Sequence, residues 1–165
     1  MLPLLLFTDA MLRMLCAVLV GCIIGVDRDL HGKPTGMKTL GLVSLGSCIA
    51  TMCAVNFAAW PLPDEVNVSR VVQGVVTGIG FLGAGVILKN AGEKRVRGLT
   101  TAASIWVTAA VGVLCGMGVW SLVLGVTILL ILLLMIGRIV EKSLLRRWES
   151  QTDSQRAERI GADED

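Results

Sequence analysis

Tyrosine is absent from this chain, and histidine occurs once, as His31. Tyrosine is a strong strand former. Its absence beside 19 glycines speaks for closely packed helices rather than a sheet. A single histidine is no metal site by itself. The five cysteines (Cys16, Cys22, Cys48, Cys53 and Cys115) lie in apolar stretches with no Cys-x-x-Cys or Cys/His spacing. An odd number cannot pair completely, and they read as small buried hydrophobes. Charge is scarce too, at 17% of positions, and a net +2 gives a nucleic-acid partner no support. The first twelve residues contain no Lys or Arg, whereas an export signal begins with a basic stretch. No cleaved signal is therefore expected. Leu19-Val20-Gly21-Cys22 resembles a lipoprotein cleavage box, but the apolar run from Met14 to Leu19 before it is too short. No Walker loop, nucleophile–base arrangement or metal-ligand spacing occurs, so neither an enzyme nor a cofactor is expected.

What the chain does contain is apolar sequence: 54% hydrophobic residues and a mean hydropathy of +0.74 over 165 positions. That composition points to an integral membrane protein. Uncharged stretches cover 14–26, 39–63, 71–88 and 98–137. The last would be about 60 Å long as one helix, about twice the ~30 Å of a bilayer core. It must break, and Gly116-Met117-Gly118 is the place, with Trp120 as an interface anchor. The expectation is an all-α protein with five spans, near 8–26, 39–60, 70–88, 99–116 and 119–139. Residues 1–140 form the membrane domain. Residues 141–165 form a polar, partly disordered tail in which Leu144, Leu145 and Trp148 suit a short interfacial helix.

Basic residues orient the spans. Arg28, Lys33 and Lys38 lie in the first loop, Lys89, Lys94, Arg95 and Arg97 in the third, and six more from Arg138 onward. The second and fourth loops have none. The positive-inside rule places loops one and three and the C-terminus in the cytoplasm and the N-terminus outside. Trp60 and Trp120 then fall at the outer boundary. A short internal echo joins Gly25-Val26 … Gly36-Met37-Lys38-Thr39 to Gly85-Val86 … Gly98-Leu99-Thr100-Thr101. It suggests two parallel helical hairpins followed by a fifth helix.

Four polar or small-residue groups are candidates for function. Asp9 and Arg13 are spaced to pair on the first helix, and with Arg70 and Gln73 they would make an outer polar cluster. The alternative is that the arginines snorkel to anchor helix ends. At the inner end of span one, Asp27-Arg28-Asp29-Leu30-His31 precedes Lys33 and Lys38. Aspartates among so many cations make a poor Mg²⁺ trap, and local salt bridges are the simpler reading. Thr100, Ser104 and Thr108, with Thr101 beside them, form a hydroxyl stripe on span four. It would either pack or line a polar path beside the glycines of span three. Small-xxx-small pairs recur at Gly21/Gly25, Gly74/Gly78 and Gly112/Gly116. Each makes a groove for a neighbouring helix, within the chain or in a homodimer.

Span three carries the densest string, Gly78-Ile79-Gly80-Phe81-Leu82-Gly83-Ala84-Gly85-Val86-Ile87-Leu88-Lys89, and Arg97-Gly98-Leu99-Thr100-Thr101-Ala102-Ala103-Ser104 follows the third loop. With Gly25-Val26-Asp27-Arg28-Asp29, Gly32-Lys33-Pro34-Thr35-Gly36-Met37-Lys38-Thr39, Ser69-Arg70 and Gln73, these strings resemble the MgtC/SapB family of bacterial inner-membrane proteins over about residues 10–140. The resemblance implies this five-span plan. It also implies adaptation to low magnesium and survival inside host phagocytes, reached by modulating other membrane machinery such as the proton-driven ATP synthase. Many members carry a folded cytoplasmic domain after the last span, for which this chain leaves too little sequence. Thr100 stands where Asn is common in the virulence-associated branch. A small ion or solute carrier, with Asp9, Arg13, Arg70 and Gln73 as its outer vestibule and Thr100 and Ser104 as its inner one, is the rival expectation.

Overall fold

A computed structural model of the chain describes residues 4–55, 65–87 and 96–149. Five helices occur in it: α1 (Leu4–Asp29), α2 (Met37–Ala54), α3 (Glu65–Gly85), α4 (Leu99–Met117) and α5 (Trp120–Glu149). Each is long and apolar enough to cross a membrane, and no β-strand occurs among the described residues. The expected spans are therefore present, with shifted ends. Trp60, the Lys89, Lys94 and Arg95 part of loop three, and residues 150–165 of the tail lie outside the described residues. The tail segment around Leu144 is not a separate short helix, because α5 continues unbroken to Glu149.

The break at residues 116–118 is a glycine-dependent stop. Gly118 adopts the left-handed conformation, with φ 74°. Its N–H donates to the Cys115 carbonyl at 3.0 Å, and the Val119 N–H donates to the Leu114 carbonyl at 3.3 Å. This pair of bonds is the Schellman arrangement, which satisfies the last carbonyls of a helix and needs a residue without a Cβ cost at the turn. The internal echo has a structural counterpart as well. Gly36 and Gly98 are both N-cap residues, of α2 and α4 respectively. Neither has room for a side chain: a Cβ on Gly36 would run into the Asp29 carboxylate, and one on Gly98 into the Val86 carbonyl.

The chain divides into two compact units, Met1–Thr127 and Ile128–Asp165. The second consists, among its described residues, of the remainder of α5. In the first, α2 is the centre: it packs extensively on α1 and on α4, and α1 also touches α4. α3 leans on α4 and more lightly on α2. More than half of the α4 span is buried and very little of the α3 span. The tight contacts run along small residues. A Cβ on Gly21 would lie 2.6 Å from the Leu40 carbonyl oxygen, and one on Gly25 would overlap the Met37 backbone. Gly112 and Gly116 of α4 lie equally close to the backbone of Ser44 and Cys48 on α2. Two of the three small-xxx-small pairs are thus consumed inside the chain, where backbones meet because no side chain intervenes.

Candidate functional site at the inner helix ends

Arg28 sits in the last turn of α1 and is 3% exposed. It does not join surface salt bridges as its neighbours' charges suggest. Its guanidinium turns inward, and every acceptor it meets is neutral. Nη1 donates to Ser104 Oγ at 3.0 Å and Nη2 to Thr101 Oγ1 at 2.5 Å, both on α4. Nη2 also donates to the Pro34 carbonyl at 3.1 Å, and Nε to the Thr35 carbonyl at 3.2 Å, both in the α1–α2 loop. Four of the five N–H donors of an arginine are thereby engaged. A buried charge needs such partners, since hydrogen bonds from charged groups contribute roughly 1.5–3 kcal/mol each while an unpaired one costs more.

The loop around this guanidinium is built with equal care. Asp29 accepts the Met37 N–H at 2.9 Å, so its carboxylate caps the start of α2 in place of an N-cap side chain. The helix dipole favours a negative group there. His31 N–H and Lys33 N–H donate to the Arg28 carbonyl, and Gly32 N–H to that of Asp29. His31 Nδ1 lies 4.0 Å from an Asp27 carboxylate oxygen. Thr35 has φ 63°, the one non-glycine residue at positive φ among those described. A β-branched side chain is strained there. Lys33, Lys38 and Arg97 are exposed.

The hydroxyl stripe is real but rotated. Thr101, Ser104 and Thr108 are buried, whereas Thr100 is exposed. Ser104 donates back to the Thr100 carbonyl at 2.8 Å and Thr108 to that of Ser104 at 2.7 Å. Ala102 and Trp106 line instead the groove between α4 and α3. At about 100° per residue the two sets occupy opposite sides of α4. Thr101 and Ser104 thus face Arg28, and the buried hydroxyls do not meet the α3 glycines in a shared polar path.

The other groups separate. Asp9 and Arg13 do pair, at 2.9 Å, and Arg13 Nη1 also donates to the Gly116 carbonyl at 2.7 Å. A cation at the C-terminus of α4 is favoured by the helix dipole. Arg70 and Gln73 stand exposed on α3, which packs on α4 and α2. On the same helix Gly83 faces Ala102 at ordinary contact distance, while Gly74, Gly78, Gly80 and Gly85 have open space where a side chain would project. Gly78 borders a groove of about 470 Å³ between α2 and α3, and Gly80 and Gly83 border one of about 330 Å³ between α3 and α4. Among the described residues no group of three His, Cys, Asp or Glu side chains is placed to hold a metal ion.

The inward turn of Arg28 is not legible in the sequence because its two hydroxyl partners on α4 lie more than 70 positions away. The signal available was the coincidence of a basic residue at one inner helix end with Thr101 and Ser104 at another.

The family model described as the MgtC family matches residues 14–143. The chain is 47% identical over 117 residues to protein SrpB of Synechococcus elongatus, covering 67% of this chain and 64% of that one. It is 36% identical over 117 residues to protein SapB of Bacillus subtilis, covering 68% of this chain and 50% of that one. Against protein MgtC of Salmonella typhimurium the identity is 38% over 120 residues, covering 73% and 48%. The matched region thus spans about half to two thirds of the length of these relatives. No solved structure matches the chain significantly. With the family model matched over most of its length and five helices fit to cross a bilayer, this chain belongs to the MgtC family of membrane proteins.

Proposed function

We propose that this MgtC-family protein is a non-enzymatic regulator in the bacterial inner membrane. It docks on other membrane machinery, such as the proton-driven ATP synthase, and adjusts ion or proton homeostasis when magnesium is scarce. Loops one and three and the C-terminus face the cytoplasm in this reading, and the protein acts as a homodimer. The observation that carries it is the state of α3. At its glycines 74, 78, 80 and 85 the space a side chain would take is open among the described residues, although glycine pairs on α1 and α4 are filled by helix backbone. A helix face that forgoes side chains and is left open offers close approach to another helix.

The polar groups support docking over transport. A carrier needs polar side chains turned toward a path, whereas Arg28, Thr101, Ser104 and Thr108 are bonded to the chain itself. The test is purification from membranes grown in low magnesium, identification of what accompanies the protein, and ion flux from the pure protein in liposomes. A stable partner without flux is expected, and Gly78→Leu should abolish the association while leaving the melting temperature unchanged. Reproducible flux from the pure protein would establish the carrier instead.

A further inference from the structure

The α1–α2 loop (residues 30–36) is tied down from one side only. Leu30 is 76% exposed, and His31, Lys33 and Pro34 are exposed with it. On the inner side, one guanidinium holds both the Pro34 and Thr35 carbonyls and, with its other donors, two hydroxyls of α4. Thr35 is meanwhile kept at φ 63°, a conformation that a β-branched residue leaves once the surroundings no longer impose it. From this juxtaposition we infer that Arg28 is a latch: it holds the loop as a strained strap across the inner ends of α1 and α4, and loss of its bonds to α4 releases the strap while the bundle stays folded.

Two features make the strap separable from the core. The core contacts among α1, α2 and α4 run through small residues and apolar side chains farther along the helices, such as Ala17, Leu40 and Val111, which need no help from Arg28. The loop's own bonds are local: His31 N–H and Lys33 N–H reach the Arg28 carbonyl, Gly32 N–H that of Asp29, and Met37 N–H the Asp29 carboxylate. The Lys33 and Met37 bonds depend on the loop remaining in its present path. The strain at Thr35 favours the released state and the four bonds from Arg28 the latched one. Such a balance gives an element with two arrangements, which a binding event at the loop can bias. Arg28 is in this sense a positioning residue, joining the first hairpin to the second.

Hydrogen exchange of the full chain in nanodiscs, followed by mass spectrometry, tests the latch at the Lys33 and Met37 amides. Arg28→Gln, and separately the double variant Thr101→Val with Ser104→Ala, should raise exchange there at least tenfold. Peptides covering 40–52 and 105–115 should keep their protection. Thr35→Asn, a residue that tolerates positive φ, should slow exchange in the loop below that of the unmodified protein. The inference is overturned if the α4 double variant leaves the loop unchanged, since Arg28 would then not act through α4. It is equally overturned if loop and helix peptides lose protection together, because Arg28 would then be a core residue and no latch. Faster loop exchange in Thr35→Asn would show that the present backbone is not strained.

Discussion

Replacing Gly112 by alanine adds one methyl group at the centre of the α2–α4 contact. A β-carbon at that position would lie 2.9 Å from both the carbonyl carbon and the Cα of Ser44, with the carbonyl oxygen nearer still. All three are backbone atoms, so no side chain can rotate away and the helices must move apart. Overpacking of this kind costs about 1–3 kcal/mol, and an unyielding backbone places it near the upper end. Alanine also returns about 1 kcal/mol of helix propensity over glycine. The net expectation is a loss of about 2 kcal/mol, or roughly 30-fold in the folding equilibrium. Gly46→Ala is the matched control, on the partner helix with open space around it, and should gain up to about 1 kcal/mol. Unfolding by SDS titration from mild detergent micelles, followed by helical circular dichroism, would resolve the two. If both variants unfold at the same SDS fraction, close backbone approach is not what joins α2 to α4.

Three further outcomes follow from particular contacts. Arg13→Gln should destabilise by about 1–2 kcal/mol, because it removes the bond to Gly116 and the positive charge at the end of α4; Gly118→Ala should cost a similar amount through its left-handed backbone, and the same SDS titration reads both. Ser44→Ala should be neutral or stabilising, since Ser44 Oγ is buried with no hydrogen-bond partner among the described residues; a loss above about 1 kcal/mol would show that this hydroxyl has a partner. A cysteine introduced at Lys33, with the exposed Cys53 changed to serine, should resist an impermeant thiol reagent in intact cells and react after permeabilisation. Labelling in intact cells would reverse the proposed orientation.

The legible part of this protein lay in quantities that are local along the chain. Five spans follow from apolar length measured against bilayer thickness, and the turn at Gly118 from a stretch too long to be one helix. The Asp9–Arg13 pair follows from helical spacing alone. None of these depends on what lies beside the helix. The rotational phase of each helix was not legible, because a helix that is apolar all round has no polar face to mark its outside. Only packing decides that Thr101 points inward and Thr100 outward, or that the glycine pairs on α1 and α4 are consumed within the chain while Gly74 and Gly78 of α3 stay open. Arg28 shows the division most clearly. Its charge and its place at a helix end can be read from sequence, but whether it faces solvent or two hydroxyls of α4 depends on how two distant segments are brought together. That is a property of the folded bundle, set by close backbone contact among α1, α2 and α4.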